Sequence, residues 1–168
     1  MSNPRSEQNR RAFTLVEVLL ASIILSLAVG AITQSISTGH QQSSDALHSL
    51  RGVALAEALL EEVLGKPYAD PNGTSAAGPE SGETTRQMFD NMDDFHGYTE
   101  AQGQVMRLSG TVYGPEYASF ERSITATYNT VTIADLGGTV SGLTVVVTVT
   151  DDKGRLWTVM RFIPEPSS

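Results

Sequence analysis

From Phe13 to Ile32 the chain reads FTLVEVLLASIILSLAVGAI, twenty residues whose single charge is Glu17. As a helix such a run spans about 30 Å, the thickness of a bilayer core. Before it lie residues 1–12, MSNPRSEQNRRA, with Arg5, Arg10 and Arg11 against Glu7; the next basic residue is Arg51. Positive charge on one flank of an apolar segment sets its orientation, so the N-terminus is expected in the cytoplasm and the remainder outside. A secretory signal peptide has a similar outline, with Val18 to Leu27 as its apolar region and Ala28-Val29-Gly30 as a small-residue cleavage site. The length of the run and Glu17 weigh against that reading. A carboxylate within an apolar segment costs up to about 3 kcal/mol at the bilayer centre, so Glu17 calls for compensation.

The string Arg10-Arg11-Ala12 followed by Phe13-Thr14-Leu15-Val16-Glu17-Val18-Leu19-Leu20-Ala21 resembles the class III signal of type IV pilins and type II secretion pseudopilins. The resemblance implies cleavage by the prepilin peptidase between Ala12 and Phe13, then N-methylation of Phe13. Ala12 stands where the family usually has Gly. The resemblance also implies an assembly role for Glu17: in the fibre it meets the methylated amino group of a neighbour's Phe13, an ion pair that offsets part of each charge's desolvation. On charge alone, Glu17 could instead snorkel to the cytoplasmic interface.

Beyond Ile32 the chain turns to Thr, Gln, Ser and His, while Ile32, Ile36, Leu47, Leu50, Ala54, Leu55, Ala58, Leu59 and Val63 continue at helical spacing. Gly39 and Gly52 are expected to weaken this stretch locally, and Gly65-Lys66-Pro67 to end it, glycine closing the last turn and proline preventing continuation. One helix from about Phe13 to Leu64 is expected. Its second half is too polar for lipid and should lie on a soluble domain, with Leu47, Leu50, Leu55, Leu59 and Val63 facing it. Residues 66–85 are rich in Pro, Gly, Ser and Thr and read as a loop.

The C-terminal half is β-rich. Gln104 to Val112 and Phe120 to Tyr128 each contain alternation, the second placing Arg122, Ile124, Ala126 and Tyr128 on one face. Leu143 to Thr150, the turn Asp151-Asp152-Lys153-Gly154 and Arg155 to Ile163 form a hairpin. Ile124, Val145, Val147, Val149, Trp157 and Phe162 are candidate core residues, and Ala69 to Thr85 and Val131 to Gly142 candidate partner-facing loops. The fold class is therefore α+β: a long N-terminal helix, transmembrane in its first half, packed on a small antiparallel sheet. The expected organisation is a leader over residues 1–12, a transmembrane half-helix over 13–32, an amphipathic half-helix over 33–65 and a β-rich head over 66–168.

Chemistry is sparse. Cysteine is absent, excluding disulfides, thiolate nucleophiles and Cys-based metal sites. His40 and His48 lie eight apart, beyond the i, i+4 spacing of a helical metal pair, and no phosphate loop or nucleophile elbow occurs. Asp90, Asp93 and Asp94 invite a calcium reading, but their spacing is not that of an EF-hand and no metal ligand set is assigned. Glu61-Glu62 and Asp151-Asp152 read as a solvated helix face and a turn. The formal charge of −8, more acidic by two units once residues 1–12 are removed, disfavours nucleic acid as a partner. The stretch Phe89 to Tyr98 resembles one in minor pilins of the modification-protein type. The expectation is a non-enzymatic, cofactor-free minor subunit of a type IV pilus or type II secretion pseudopilus. Its partners would be the prepilin peptidase, other pilin or pseudopilin subunits and the inner-membrane assembly platform. A secreted or membrane-anchored enzyme is the alternative, distinguished by the mass of the mature N-terminus.

Overall fold

The computed structural model describes residues 13–71, 77–133 and 137–166. Two compact units divide the chain, Met1–Asp45 and Ala46–Ser168, and helix α1, Leu15–Leu64, contributes to both. The helix runs through Gly30, Gly39 and Gly52 without a break. It ends where expected: Gly65 N–H donates to the Glu61 and Glu62 carbonyls and Lys66 N–H to that of Val63.

In the second unit, four strands form an antiparallel sheet in chain order, β1 Thr99–Glu100, β2 Phe120–Ile133, β3 Gly138–Asp151 and β4 Leu156–Pro164. The architecture is thus α+β, one long helix and an antiparallel sheet, consistent with the pilin fold. Pairing Ile124 with Val147, and Val147 with Val159, puts the alternate residues Phe120, Ile124 and Ala126 of β2 and Leu143, Val145, Val147 and Val149 of β3 on one covered face. Against it α1 sets Gly52, Leu55, Ala56, Leu59, Leu60 and Val63, at the spacing of one helical stripe. Phe89, Met92, Phe95 and Val105, from the connection between α1 and β2, complete the core.

Gly52 has a packing reason. A Cβ built there would lie 2.5 Å from the Trp157 indole, so the missing side chain lets β4 approach the helix. Glycine's cost in helix propensity is offset by a contact that no other residue permits.

Several expectations are corrected. Gln104 to Val112 is not a strand: Gly103 and Gly110 take φ of +72° and +79°, and Arg107 N–H donates to the Thr111 carbonyl while Gly110 N–H returns to that of Arg107. The segment curls on itself, keeping one bridge between Met106 and Val112, and the first strand is the two-residue β1. Val131 to Gly142 is largely strand, because Val131, Thr132, Ile133, Thr139 and Val140 are β-branched and pair across the hairpin. Leu47 and Leu50 are exposed, lying off the buried stripe, and Phe162 pairs with Thr144 on the face opposite Val145. On β4 it is Trp157, Val159 and Ile163 that pack against the core. Glu62 is no solvated residue, for its side chain is only 7% exposed beside Arg86.

Candidate functional site

Two arrangements of polar groups stand out, one at the start of α1 and one inside the second unit. At the helix start, Thr14 Oγ1 accepts the Glu17 N–H at 3.2 Å, and Glu17 Oε2 accepts the Thr14 N–H at 3.3 Å. This reciprocal pair is a capping box: Thr at the N-cap and Glu at the third helical position serve backbone donors of the first turn, the Glu17 N–H being shared with the Thr14 carbonyl at 3.0 Å. The signature, Thr-x-x-Glu, is readable at positions 14–17 and is a role for Glu17 that sequence reasoning missed. It also uses only part of the carboxylate's capacity, since an ionised carboxyl offers about four acceptor positions. Carboxylate charge at a helix N-terminus is further favoured by the helix dipole.

Beyond that first turn, α1 as far as Ile32 is almost wholly apolar and exposed. The most apolar eighteen-residue window has a mean hydropathy of 2.5 and no buried residue, so the helix is long and apolar enough to cross a membrane. Its hydroxyls do not oppose this. Ser22, Ser26 and Thr33 donate to the carbonyls of Val18, Ser22 and Val29, four residues back, at 2.8–2.9 Å. Polar groups satisfied inside the helix enter an apolar surrounding at low cost. Phe13, 79% exposed, stands just before the helix, and Glu17 lies in its first turn. Ala12 and the rest of residues 1–12 lie outside the described residues.

The second arrangement is a buried ionic cluster, equally missed from the sequence. Arg86 reaches both carboxylate oxygens of Glu62 with Nε and Nη2, and its Nη1 donates to Glu100 Oε1 at 2.7 Å. Arg122 donates from Nε to Glu100 Oε2 at 2.6 Å, and from Nη1 and Nη2 to the Leu55 and Met106 carbonyls. Tyr98 adds its hydroxyl to Glu100 at 2.9 Å. Two arginines thus balance two glutamates, and donors and acceptors interlock across α1, the loop after it, β1 and β2. Burial alone would lower the Arg86 pKa, but Glu62 and Glu100 more than offset it and hold the guanidinium charged; burial and then Glu100 push Tyr98 up to about 12. The signal in the sequence was an arginine at a core-facing position of an alternating strand, Arg122, which demands a buried carboxylate.

These groups form no catalytic constellation. Each carboxylate of the ionic cluster is engaged by an arginine, and in the apolar first part of the helix Glu17 bonds to its own cap. The arrangement suits lateral association of a helix with an apolar environment.

Comparison with known proteins bears on the helix. Residues 8–33 match the prokaryotic N-terminal methylation motif, the signature of type IV pilins and pseudopilins. No curated protein and no solved structure gave a match to the chain.

Proposed function

We propose that this chain is a prepilin-like structural subunit, cleaved between Ala12 and Phe13, N-methylated at Phe13 and built as a minor component into a type IV pilus or type II secretion pseudopilus. The observation that carries the reading is the methylation motif at residues 8–33. Residues 1–12 are the leader, 13–32 the membrane half of the helix, 33–65 its amphipathic half and 66–168 the head. The protein sits N-in in the inner membrane before assembly, as a substrate of the prepilin peptidase. The assembly platform then transfers it to a filament of pilin or pseudopilin subunits.

The physical logic rests on what α1 lacks. An exposed apolar helix in water is unfavourable by about 25 cal/mol per Å² of apolar surface, so lipid or neighbouring helices must cover it. Lipid covers hydrocarbon but offers no counter-charge to Glu17; a neighbour's methylated Phe13 amine does. Filament entry in the register that brings the two together is then preferred over remaining in the bilayer. The capping box holds the Glu17 carboxylate at the helix start, next to its own Phe13, the end that a neighbouring subunit must meet.

Two measurements on cells carrying the cognate peptidase test this. Intact mass should show loss of residues 1–12 and one added methyl group; a retained leader, or a start near Ala31, would remove the family reading. Glu17→Ala should be inserted and cleaved, yet be depleted at least tenfold from sheared filaments. Recovery at the wild-type level would leave Glu17 as a helix cap alone.

A further inference from the structure

The sheet covers its core with one face only. Side chains alternate along a strand, so the residues between those of the core point the other way: the odd-numbered ones of β2 and the even-numbered ones of β3 and β4. This second face is open, with Met160 69% and Leu156 65% exposed on β4. Its composition is unusual for a surface in water. Val131, Val140, Val146, Leu156, Met160 and Phe162 lie on it, and of all the residues that the three strands turn this way only Glu121, in one corner, carries a charge. The solvated face of an antiparallel sheet is ordinarily polar. Threonines between the apolar residues do little to change this, because Thr144 donates its hydroxyl to Asn129 at 2.9 Å and Thr148 shares a hydrogen bond with Thr158. A Cβ at Gly142 would lie 2.6 Å from the Phe162 ring, so the glycine lets that ring lie down on the sheet and keeps the face flat.

We infer that this open face is an interface between two copies of the chain, their sheets stacked with the apolar side chains between them. Packed sheets lie about 10 Å apart, a gap that Val, Met and Phe side chains from both sides fill. Charge selects the occupant. Each copy carries a net charge of −8 and exposes carboxylates elsewhere, as at Glu57 and Glu61 on α1, so most encounters between copies bring like charges together. On the uncharged face two copies meet without that repulsion, whereas a strongly basic or acidic partner finds no counter-charge there. The area is sufficient. Three strands about 4.8 Å apart and about 30 Å long, with the two-stranded end of the β2–β3 hairpin beyond them, give about 600 Å² per copy. Two such faces bury about 1,200 Å², the lower end of what specific interfaces bury, so the dimer is a weak one with a dissociation constant on the order of 10 μM. Such pairing needs neither a methylated terminus nor a filament.

The test uses the full chain in detergent. Sedimentation equilibrium should show the protein mass rising from one chain to two as the concentration passes through that range. Met160→Glu together with Val146→Glu adds acids to the open face of an already acidic chain and should weaken association at least tenfold. Met160→Glu alone, at the more exposed position, reads the same contact should the double variant fail to fold. The chain has no cysteine, so single cysteines report the geometry. Val146→Cys, in the middle strand of the face, should be joined to its own copy by a bismaleimide of about 10 Å reach, the spacing of stacked sheets, and Glu57→Cys on α1 should not. A single-chain mass up to millimolar protein overturns the proposal. So does a dimer unchanged in the glutamate variants, or cross-linking at Glu57→Cys equal to that at Val146→Cys. In cells, a Val146→Cys adduct of any mass other than that of two chains assigns the face to a different protein and equally overturns the second copy as its occupant.

Discussion

Residues 15–32 and residues 52–63 belong to one helix and are both rich in Leu, Ile, Val and Ala, yet they meet opposite fates. In the first stretch every side chain is exposed, including Leu19, Leu20, Ile23 and Leu27; in the second, Leu55, Ala56, Leu59 and Val63 are at most 1% exposed against the sheet. The acids differ in the same way. Glu17 bonds within its own first turn, while Glu62 is gripped by Arg86 from within the second unit. Apolarity alone therefore does not say where a helix is buried. One half finds its cover inside the chain, and the other is long and apolar enough to find its cover in a membrane.

The comparison can be broken first at the ionic cluster. Arg122→Ala would leave Glu100 Oε2 buried without its counter-charge and strip the Leu55 and Met106 carbonyls of a donor. A loss of about 3–5 kcal/mol is expected in denaturant unfolding of the purified protein. A loss under about 1 kcal/mol would mean that water or another side chain already serves Glu100.

A matched pair of truncations sharpens the contrast between the two halves of α1. Leu59→Ala removes a fully buried side chain and should cost about 2–4 kcal/mol, with a visibly lower thermal midpoint in detergent. Leu19→Ala, at a position 55% exposed, should leave that midpoint within the usual surface range of about 0.5 kcal/mol. If both variants unfold alike, the apolar half is part of the folded core and the contrast fails.

The smallest effect expected is a pH dependence at the β3–β4 turn. Asp151 Oδ1 accepts the N–H groups of Lys153 and Arg155, and its Oδ2 meets Arg155 Nε at 2.7 Å and His48 Nε2 at 2.9 Å. Burial would raise this carboxyl, but the Arg155 side chain and these bonds outweigh it and hold the pKa well below the usual range. A depressed pKa contributes stability above the unfolded value near 3.9 and loses it as pH falls further. The stability gap between wild type and Asp151→Asn should accordingly be full at pH 5 and narrow progressively below about pH 4. A gap that grows on acidification would reverse the sign of this interaction.

How much of this was legible depended on the range of the interaction. The apolar run, the helix stop at Gly65-Lys66-Pro67 and the β3–β4 hairpin were read correctly because each is decided by neighbours in sequence: hydrophobic periodicity, a glycine that closes the last turn, a turn tetrapeptide between alternating segments. Ala12 and Phe13, proposed for processing, and Glu17, proposed for assembly, were named from a local string, and the same string held the Thr14–Glu17 cap. Gln104 to Val112 misled because alternation over nine residues was outvoted by positive φ at Gly103 and Gly110. Val131 to Gly142 misled because a glycine-containing stretch can still pair when β-branched residues face each other across it.

What the sequence determined by itself was the membrane-competent helix, its end and the α+β class, all consequences of local chemistry. Only the tertiary structure decided which apolar stripe of α1 is buried, that Gly52 is a seat for Trp157, and that Glu62 and Glu100 neutralise Arg86 and Arg122. Each of these depends on groups brought together from distant parts of the chain, and the energy of such contacts lies in desolvation and distance, which a linear string does not encode.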